Sequence, residues 1–380
     1  MRSRWSILLV AFLMGILNSC LDPYAPPTIG GANDFLVVGG SLNAGDRSCT
    51  ITLSRSQALG SGEAPTLVSD ATILLEDVNG NASALPSQGY GLYSGSNLAL
   101  DVQKTYRLHI ETSNGNSYIS DYVPVISSSP IDSIGWTLGR QGSGEPALNI
   151  YVNTHGSPGQ SPYFLWHFEE TWEYTAAYLS PLRYVDGKVI SIFDSTYYCW
   201  NNRSSTSILI ASTAQLSQNI INHFAITSIP DNSIKLYRGY SILVKQLSLT
   251  KEAFEYWQQL KATTENLGTI FGPLPSQFSG NIHSATNPSE QVFGYFSASS
   301  TSQKRIFIKP TDFPTPSGPV ETGNENCHLD MIPVSKLNMI GYGALISSYG
   351  VGPAGYYVSS LDCVDCRLKG GAIVKPDFWK

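Results

Sequence analysis

Cys363-Val364-Asp365-Cys366 is the densest group of reactive side chains in the sequence. Together with Cys327 and His328 it offers four zinc donors, and a Cys-x-x-Cys pair at a helix start is also the layout of thiol–disulfide enzymes. The redox reading needs a βαβ unit around the pair, and no such pattern surrounds it. Cys199 adds a fourth cysteine to Cys327, Cys363 and Cys366 in the second half of the chain. Four cysteines in an oxidising compartment read as two disulfides with three possible connectivities. We expect disulfides, with zinc and redox as the alternatives. Cys49 stands apart in Cys49-Thr50-Ile51-Thr52-Leu53, an alternating strand in which it serves as a small apolar residue.

Other constellations are thinner. His167 and Glu169 lie two apart in a strand pattern and so share a face. A metal or acid–base role and a plain solvated face are both open, and we expect the latter. His109 sits in a regular strand and reads as structural. Gly350-Val351-Gly352-Pro353-Ala354-Gly355 fits the spacing of a dinucleotide loop, but it has proline where the helix should begin and no strand–helix setting. Gly-x-Ser-x-Gly, His-Glu-x-x-His and phosphate-loop motifs are missing from the sequence. Sugar hydrolysis by paired acids needs two facing carboxylates, and sequence cannot pick a pair from 29 acids. We therefore assign no catalytic residue, no metal ligand and no cofactor. The 21 tyrosines and seven tryptophans suit platforms for sugars or peptides, or simply strand faces and cores.

One cysteine carries a sharper signal. Arg2 and Arg4 precede an apolar run from Ser6 to Leu17, and Leu17-Asn18-Ser19-Cys20 follows. The run is too short to span a bilayer core of about 30 Å. The pattern predicts a lipoprotein signal over residues 1–19, cleaved before Cys20, with lipid on the Cys20 thiol and new amine. The signal removes two arginines and no acid from a chain whose net charge is −6. Nucleic acid is thereby excluded as a partner, and no polybasic patch exists to bind a membrane. Contact with the membrane would run through the lipid alone.

The elements that must position these residues are mostly strands. Residues 20–33 hold Pro26-Pro27 and Gly30-Gly31 and read as a tether. Residues 34–126 show short strands separated by turn signals at Asn79-Gly80 and Asn114-Gly115, the pattern of an immunoglobulin- or prealbumin-like β-sandwich. Residues 131–380 read as a larger antiparallel β domain. It contains a long aromatic strand from Tyr163 to Tyr174, a hairpin at Asp186-Gly187, and a strand from Lys235 to Leu249. One covering helix is expected over 251–267, with Thr250 as N-cap, Gly268 beyond its end, and a stripe of Phe254, Trp257, Leu260, Lys261, Thr264 and Leu267. Residues 310–326 read as a long exposed loop. The fold class is mainly β, at roughly 150 residues per domain.

Further motifs recur in order along the chain. They are Cys20-Leu21-Asp22-Pro23-Tyr24, Leu36-Val37-Val38-Gly39-Gly40, Tyr240 to Gln246, Leu249 to Ala253, Trp257, Gly268 to Phe271, Gly280-Asn281-Ile282, Gly294-Tyr295-Phe296, and the ending Cys363 to Arg367 with Lys375 to Trp379. In these the chain resembles the Bacteroidota outer-membrane lipoproteins of the domain-of-unknown-function family DUF4249. The resemblance implies a surface- or periplasm-facing lipoprotein, often encoded beside a TonB-dependent receptor, and transfers no functional residue except Cys20. We expect a non-enzymatic, lipid-anchored accessory or binding protein at the cell surface that partners a TonB-dependent transporter. A surface hydrolase with a site assembled from distant strands is the first alternative. A structural or adhesive lipoprotein is the second.

Overall fold

A computed structural model describes residues 34–57, 62, 64–192, 196–265, 280–313, 316–339, 344–349 and 354–379. The expected signal, Cys20, the tether, Gly268–Phe271 and most of the Gly350–Gly355 motif lie outside the described residues. The chain is mainly β, as the sequence pattern predicts.

The first nine strands run β1 Leu36–Asn43, β2 Ser48–Arg55, β3 Thr72–Asp77, β4 Ala82–Ala84, β5 Ser87–Gly89, β6 Leu92–Gly95, β7 Thr105–Glu111, β8 Ser117–Ser120 and β9 Val123–Ile126. Strict alternation sets their faces. In β2, Cys49, Ile51 and Leu53 are fully buried while Thr50 and Thr52 face out. Cys49 is a free, buried thiol, as its place in the pattern predicts. Leu36, Leu42, Ile73, Leu108, Ile110 and Tyr118 complete one core.

The second body begins with β10 Ile131–Arg140, β11 Pro146–His155 and β12 Tyr163–Thr175. It continues with β13 Leu182–Val185, β14 Lys188–Ser191, β15 Tyr198–Ser204, β16 Leu209–Ser212, β17 Ile220–Pro230, α1 Ile234–Tyr237, β18 Gly239–Ser248 and α2 Lys251–Thr264. The three-stranded sheet β10-β11-β17 packs on the larger sheet through Leu148, Ile150, Val152, Phe164, Trp166, Ile242 and Val244. Trp166 donates its indole N–H to Gln246, which in turn donates to Ser129 O and Thr154 Oγ1. Asp186 and Gly187 both have positive φ, +49° and +77°, the turn that a tight hairpin between β13 and β14 requires.

Two elements differ from the sequence pattern. Lys235–Leu249 does not start as a strand: Ser233 caps the short turn α1, and β18 begins only at Gly239. Helix α2 is capped by Thr250 Oγ1 as expected, but it ends at Thr264. Ala253 and Tyr256 are its buried residues, with Phe254, Trp257 and Leu260 half-buried and Thr264 exposed. The buried stripe is therefore displaced from the one predicted. The cause is a second surface: besides lying on β12 and β16, the helix sets Tyr256 beside Tyr295, ring centroids 5.3 Å apart.

Tyr295 belongs to a segment that returns to the first body. β19 Ile282–Ser284 pairs with β8, β20 Val292–Gly294 runs parallel to β1, and β21 Ser297–Ser299 runs parallel to both β1 and β9. These strands complete one curled sheet of twelve, closing the sandwich around Phe296. A boundary near 126–131 thus divides the chain but not the sandwich. Gly280 and Gly294 permit the return: a Cβ on Gly280 would sit 1.5 Å from the Gly294 carbonyl oxygen. β22 Thr301–Ile308 then re-enters the larger sheet beside β18. β23 Asp330–Pro333, β24 Ala344–Tyr349 and β25 Gly355–Ser359 form a last sheet with β13 and β14. Among the described residues no helix is long and apolar enough to cross a membrane.

Candidate functional site

The larger sheet, β15-β12-β18-β22 with β16 also paired to β12, buries one face against the three-stranded sheet. Its other face is a grid that the registers define. Residues directly opposite one another across antiparallel strands share a face. One row reads Ser204, Glu169, Leu243, Arg305; the next reads Asn202, Thr171, Ser241, Phe307; a third brings Trp200 opposite Glu173. One step the other way, His167 stands opposite Lys245.

The C-terminal segment crosses this face as a strap. Ala372 exchanges both backbone hydrogen bonds with Trp200 at one edge. Phe378 lies over Arg305, with the guanidinium carbon 3.7 Å from the ring centroid. Trp379 packs edge-on against Phe307 and over Gly239. Between strap and sheet lies a cavity of about 300 Å³, its floor including Glu169, Thr171, Asn202, Ser204 and Arg305. Arg203 and Trp200 sit at its side, Val374, Pro376 and Phe378 in its roof.

The charges around this cavity are uneven. Glu169 is committed to Lys245, Oε1 to Nζ 2.5 Å. Arg203 and Arg305 make no ion pair among the described residues, though Glu169 is close enough to act on Arg305. Burial lowers the pKa of the Arg305 guanidinium, and Glu169 opposes that shift. The indole N–H of Trp200 is buried and finds no acceptor among the described residues. Lys245 also borders a second cavity of about 430 Å³ at the junction of the two bodies, lined by His167, Trp257, Thr50 and Ser297. Burial, then the charge of Lys245, lowers the pKa of His167, so this imidazole is neutral at pH 7. His167 and Glu169 do share a face, as expected, and Glu169 serves as an ion-pair partner there.

The strap is fixed by crosslinks. Cys199 bonds to Cys366, and Cys327 to Cys363. All four candidate cysteines are thus paired, and of the three connectivities this one is formed. Cys363 and Cys366 face different partners, so the Cys-x-x-Cys dithiol is corrected, and so is the zinc set with His328, whose thiolates are consumed. Close approach continues at Gly371, where a Cβ would lie 2.3 Å from the Tyr174 hydroxyl.

His109 is tied into a cluster on the first body. Its Nδ1 lies 3.1 Å from Glu76 Oε1 and its Nε2 3.1 Å from Ser117 Oγ. Glu76 also accepts from Arg107 at 2.8 Å. Burial works to raise the Glu76 pKa, but the hydrogen bonds from Arg107 and His109 outweigh it and bring it below the usual range. Glu111 approaches the same His109 Nε2 at 3.6 Å. The loop after Lys309 is anchored at Asp231, whose carboxylate accepts from Ser317, and at Asn232, whose carbonyl accepts from the Glu321 N–H.

The family model described as Domain of unknown function (DUF4249) matches residues 22–305. This chain belongs to that family. No curated protein matches it. The match in this DUF4249 chain runs from just after Cys20 to Arg305, and so includes the twelve-stranded sheet, the three-stranded sheet and most of the larger sheet, but neither β23–β25 nor the strap. Sequence reasoning missed Trp200, Asn202, Arg203, Arg305 and Phe378 as neighbours. The only early signal was the aromatic ending and its resemblance to other members.

Proposed function

We propose that this DUF4249 chain is a lipid-anchored accessory protein of the outer membrane, exposed at the cell surface. In this reading it binds a ligand for a TonB-dependent transporter and performs no chemistry of its own. The observation that carries the reading is Cys20, placed after a basic start and a short apolar run. Lipid at Cys20 holds the protein at the bilayer, each buried CH₂ contributing about 0.8 kcal/mol. The spacer from Leu21 to Asn33 then reaches at most roughly 45 Å. Such a leash keeps a held ligand near a neighbouring pore at an effective concentration of order millimolar. The strapped cavity supports the same reading, because its side chains are hydrogen-bonders and stacking surfaces.

The test is Cys20→Ser, with fractionation of envelopes and pull-down through a C-terminal tag. The unsubstituted chain sediments with the outer membrane and recovers a TonB-dependent transporter; Cys20→Ser leaves the membrane fraction. A serine variant that still sediments refutes the anchor. A wild-type pull-down without a transporter refutes the partnership.

A second reading, a surface hydrolase, is favoured by the Glu76–His109–Ser117 order of acid, imidazole and hydroxyl. Weighing against it, Arg107 shares Glu76 and the cluster lies on a strand face outside the cavities described above. Fluorophosphonate labelling at Ser117 would shift the balance to that reading.

A further inference from the structure

We infer that the cavity under the C-terminal strap holds one acidic sugar unit, a uronate, in an inference that rests on the ligand-holding role proposed above. Charge is the first argument. Arg203 and Arg305 both border the cavity, and neither has an ion-pair partner among the described residues. The one carboxylate on the floor, Glu169, already holds Lys245. A guanidinium is a planar fork that matches a carboxylate with two parallel hydrogen bonds. Arg305 donates one N–H to Ser241 Oγ at 3.0 Å, and on a chain whose net charge is −6 two cations without an ion-pair partner beside one small cavity form a local reversal of sign.

Hydrogen bonding is the second. Thr171, Asn202 and Ser204 line the cavity, and their side chains make no hydrogen bond among the described residues. Asn202 and Ser204 are exposed, so their amide and hydroxyl groups are open to a ligand carrying several hydroxyls. Inorganic phosphate would meet the arginines and leave these groups unmatched. An aromatic acid would fill the space and fail them too.

Shape is the third. Trp200 and Phe378 supply flat apolar surface, with Val374 and Pro376 beside them, as the C–H face of a sugar ring needs. About 300 Å³ is the lower end of ligand-site volumes and suits one ring. The strap is held in advance by the Cys199–Cys366 crosslink and the Trp200–Ala372 pairing, so little ordering remains on binding.

The experiment is calorimetric titration of the purified full chain in detergent with galacturonate, and with galactose, benzoate and inorganic phosphate as comparators. Binding there is independent of anchoring and of any transporter, so it can fail or succeed apart from the proposed function. We expect galacturonate to bind at least about tenfold more tightly than each comparator, the ratio expected from one charge-assisted hydrogen-bonded pair. Arg203→Met, at an exposed side chain, should weaken galacturonate by about tenfold and leave galactose within about twofold. Arg305→Met should do the same, with Arg305→Lys keeping part of the affinity. The inference is overturned if galacturonate gives no binding, if galactose, benzoate or phosphate binds as tightly, or if neither arginine variant weakens galacturonate.

Discussion

Removing the Cys199–Cys366 crosslink as a pair of alanines is the most informative perturbation of this fold. The bond spans 167 residues and ties the strap to the edge strand of the larger sheet. Loop-closure entropy of about 2.1 + 1.5R ln n cal/mol/K gives about 17 cal/mol/K for that span, or about 5 kcal/mol at 25 °C. The inner bond, Cys327–Cys363, spans 36 residues and gives about 4 kcal/mol by the same relation. The logarithm is flat, so threading the long loop through the short one changes the larger figure little. The two removals should differ by about 1.4 kcal/mol, the longer loop costing more. Cys199 and Cys366 are both fully buried, which adds a small packing loss to the first. Tryptophan fluorescence during guanidinium unfolding is the assay. Beyond Trp5, all six tryptophans fall between Trp136 and Trp379, so the signal is weighted toward the second body and its junction with the first. An outer double variant that loses less than the inner one, or less than about 1 kcal/mol, refutes the account of the strap as held by chain-entropy restriction.

Three further substitutions probe the two bodies. Glu170 is almost wholly buried and accepts from Lys235 Nζ at 2.5 Å and the Tyr240 hydroxyl at 2.7 Å. Lys235→Met should cost about 3–5 kcal/mol in the same fluorescence assay by stranding that carboxylate, and adding Glu170→Gln should restore most of it. In the first body, hydrogen bonds from the Asn81 side chain and then Lys104, with the backbone of Asn81 and Asn79, hold the Asp77 carboxyl well below the usual carboxylate range. A depressed folded pKa stabilises above the ordinary carboxylate pKa and is lost as pH falls through that value toward the folded one. Wild type should therefore lose first-body stability steadily from about pH 5 downward, while Asp77→Asn should start weaker at pH 7 and show a flatter acid limb by circular dichroism.

Local signals were legible in the sequence and long-range ones were not. The alternation of β2, the positive-φ turn at Asp186-Gly187 and the Thr250 cap are settled within a few residues of themselves, and each appears where the pattern put it. The cysteines were legible as bridges, but their pairing depends on where the strap crosses. The return of β19–β21 pairs Leu36 with Val292, and parallel pairing at that separation leaves no turn or period to read. The cavity fared likewise. Its floor takes side chains from β12, β15 and β22, brought level only by strand register. α2 shows the same cause on a smaller scale, since its buried stripe answers to Tyr295 as well as to its own period.

The return segment also fixes how the two bodies depend on each other. β21 is the strand that joins β1 to β9, and β19 covers the free side of β8. Without them β8, β9 and the end of β1 would each stand unpaired on one side, and an exposed strand edge is open to association with other chains. Phe296, buried at the centre of the first core, arrives on the same segment, clamped by Asn281 through hydrogen bonds in both directions. The first body is therefore completed by residues that follow α2 in the chain. α2 in turn packs on the second body through Leu165, Leu249 and Ala253. The two bodies are therefore joined by three paired strands, and not by a linker alone.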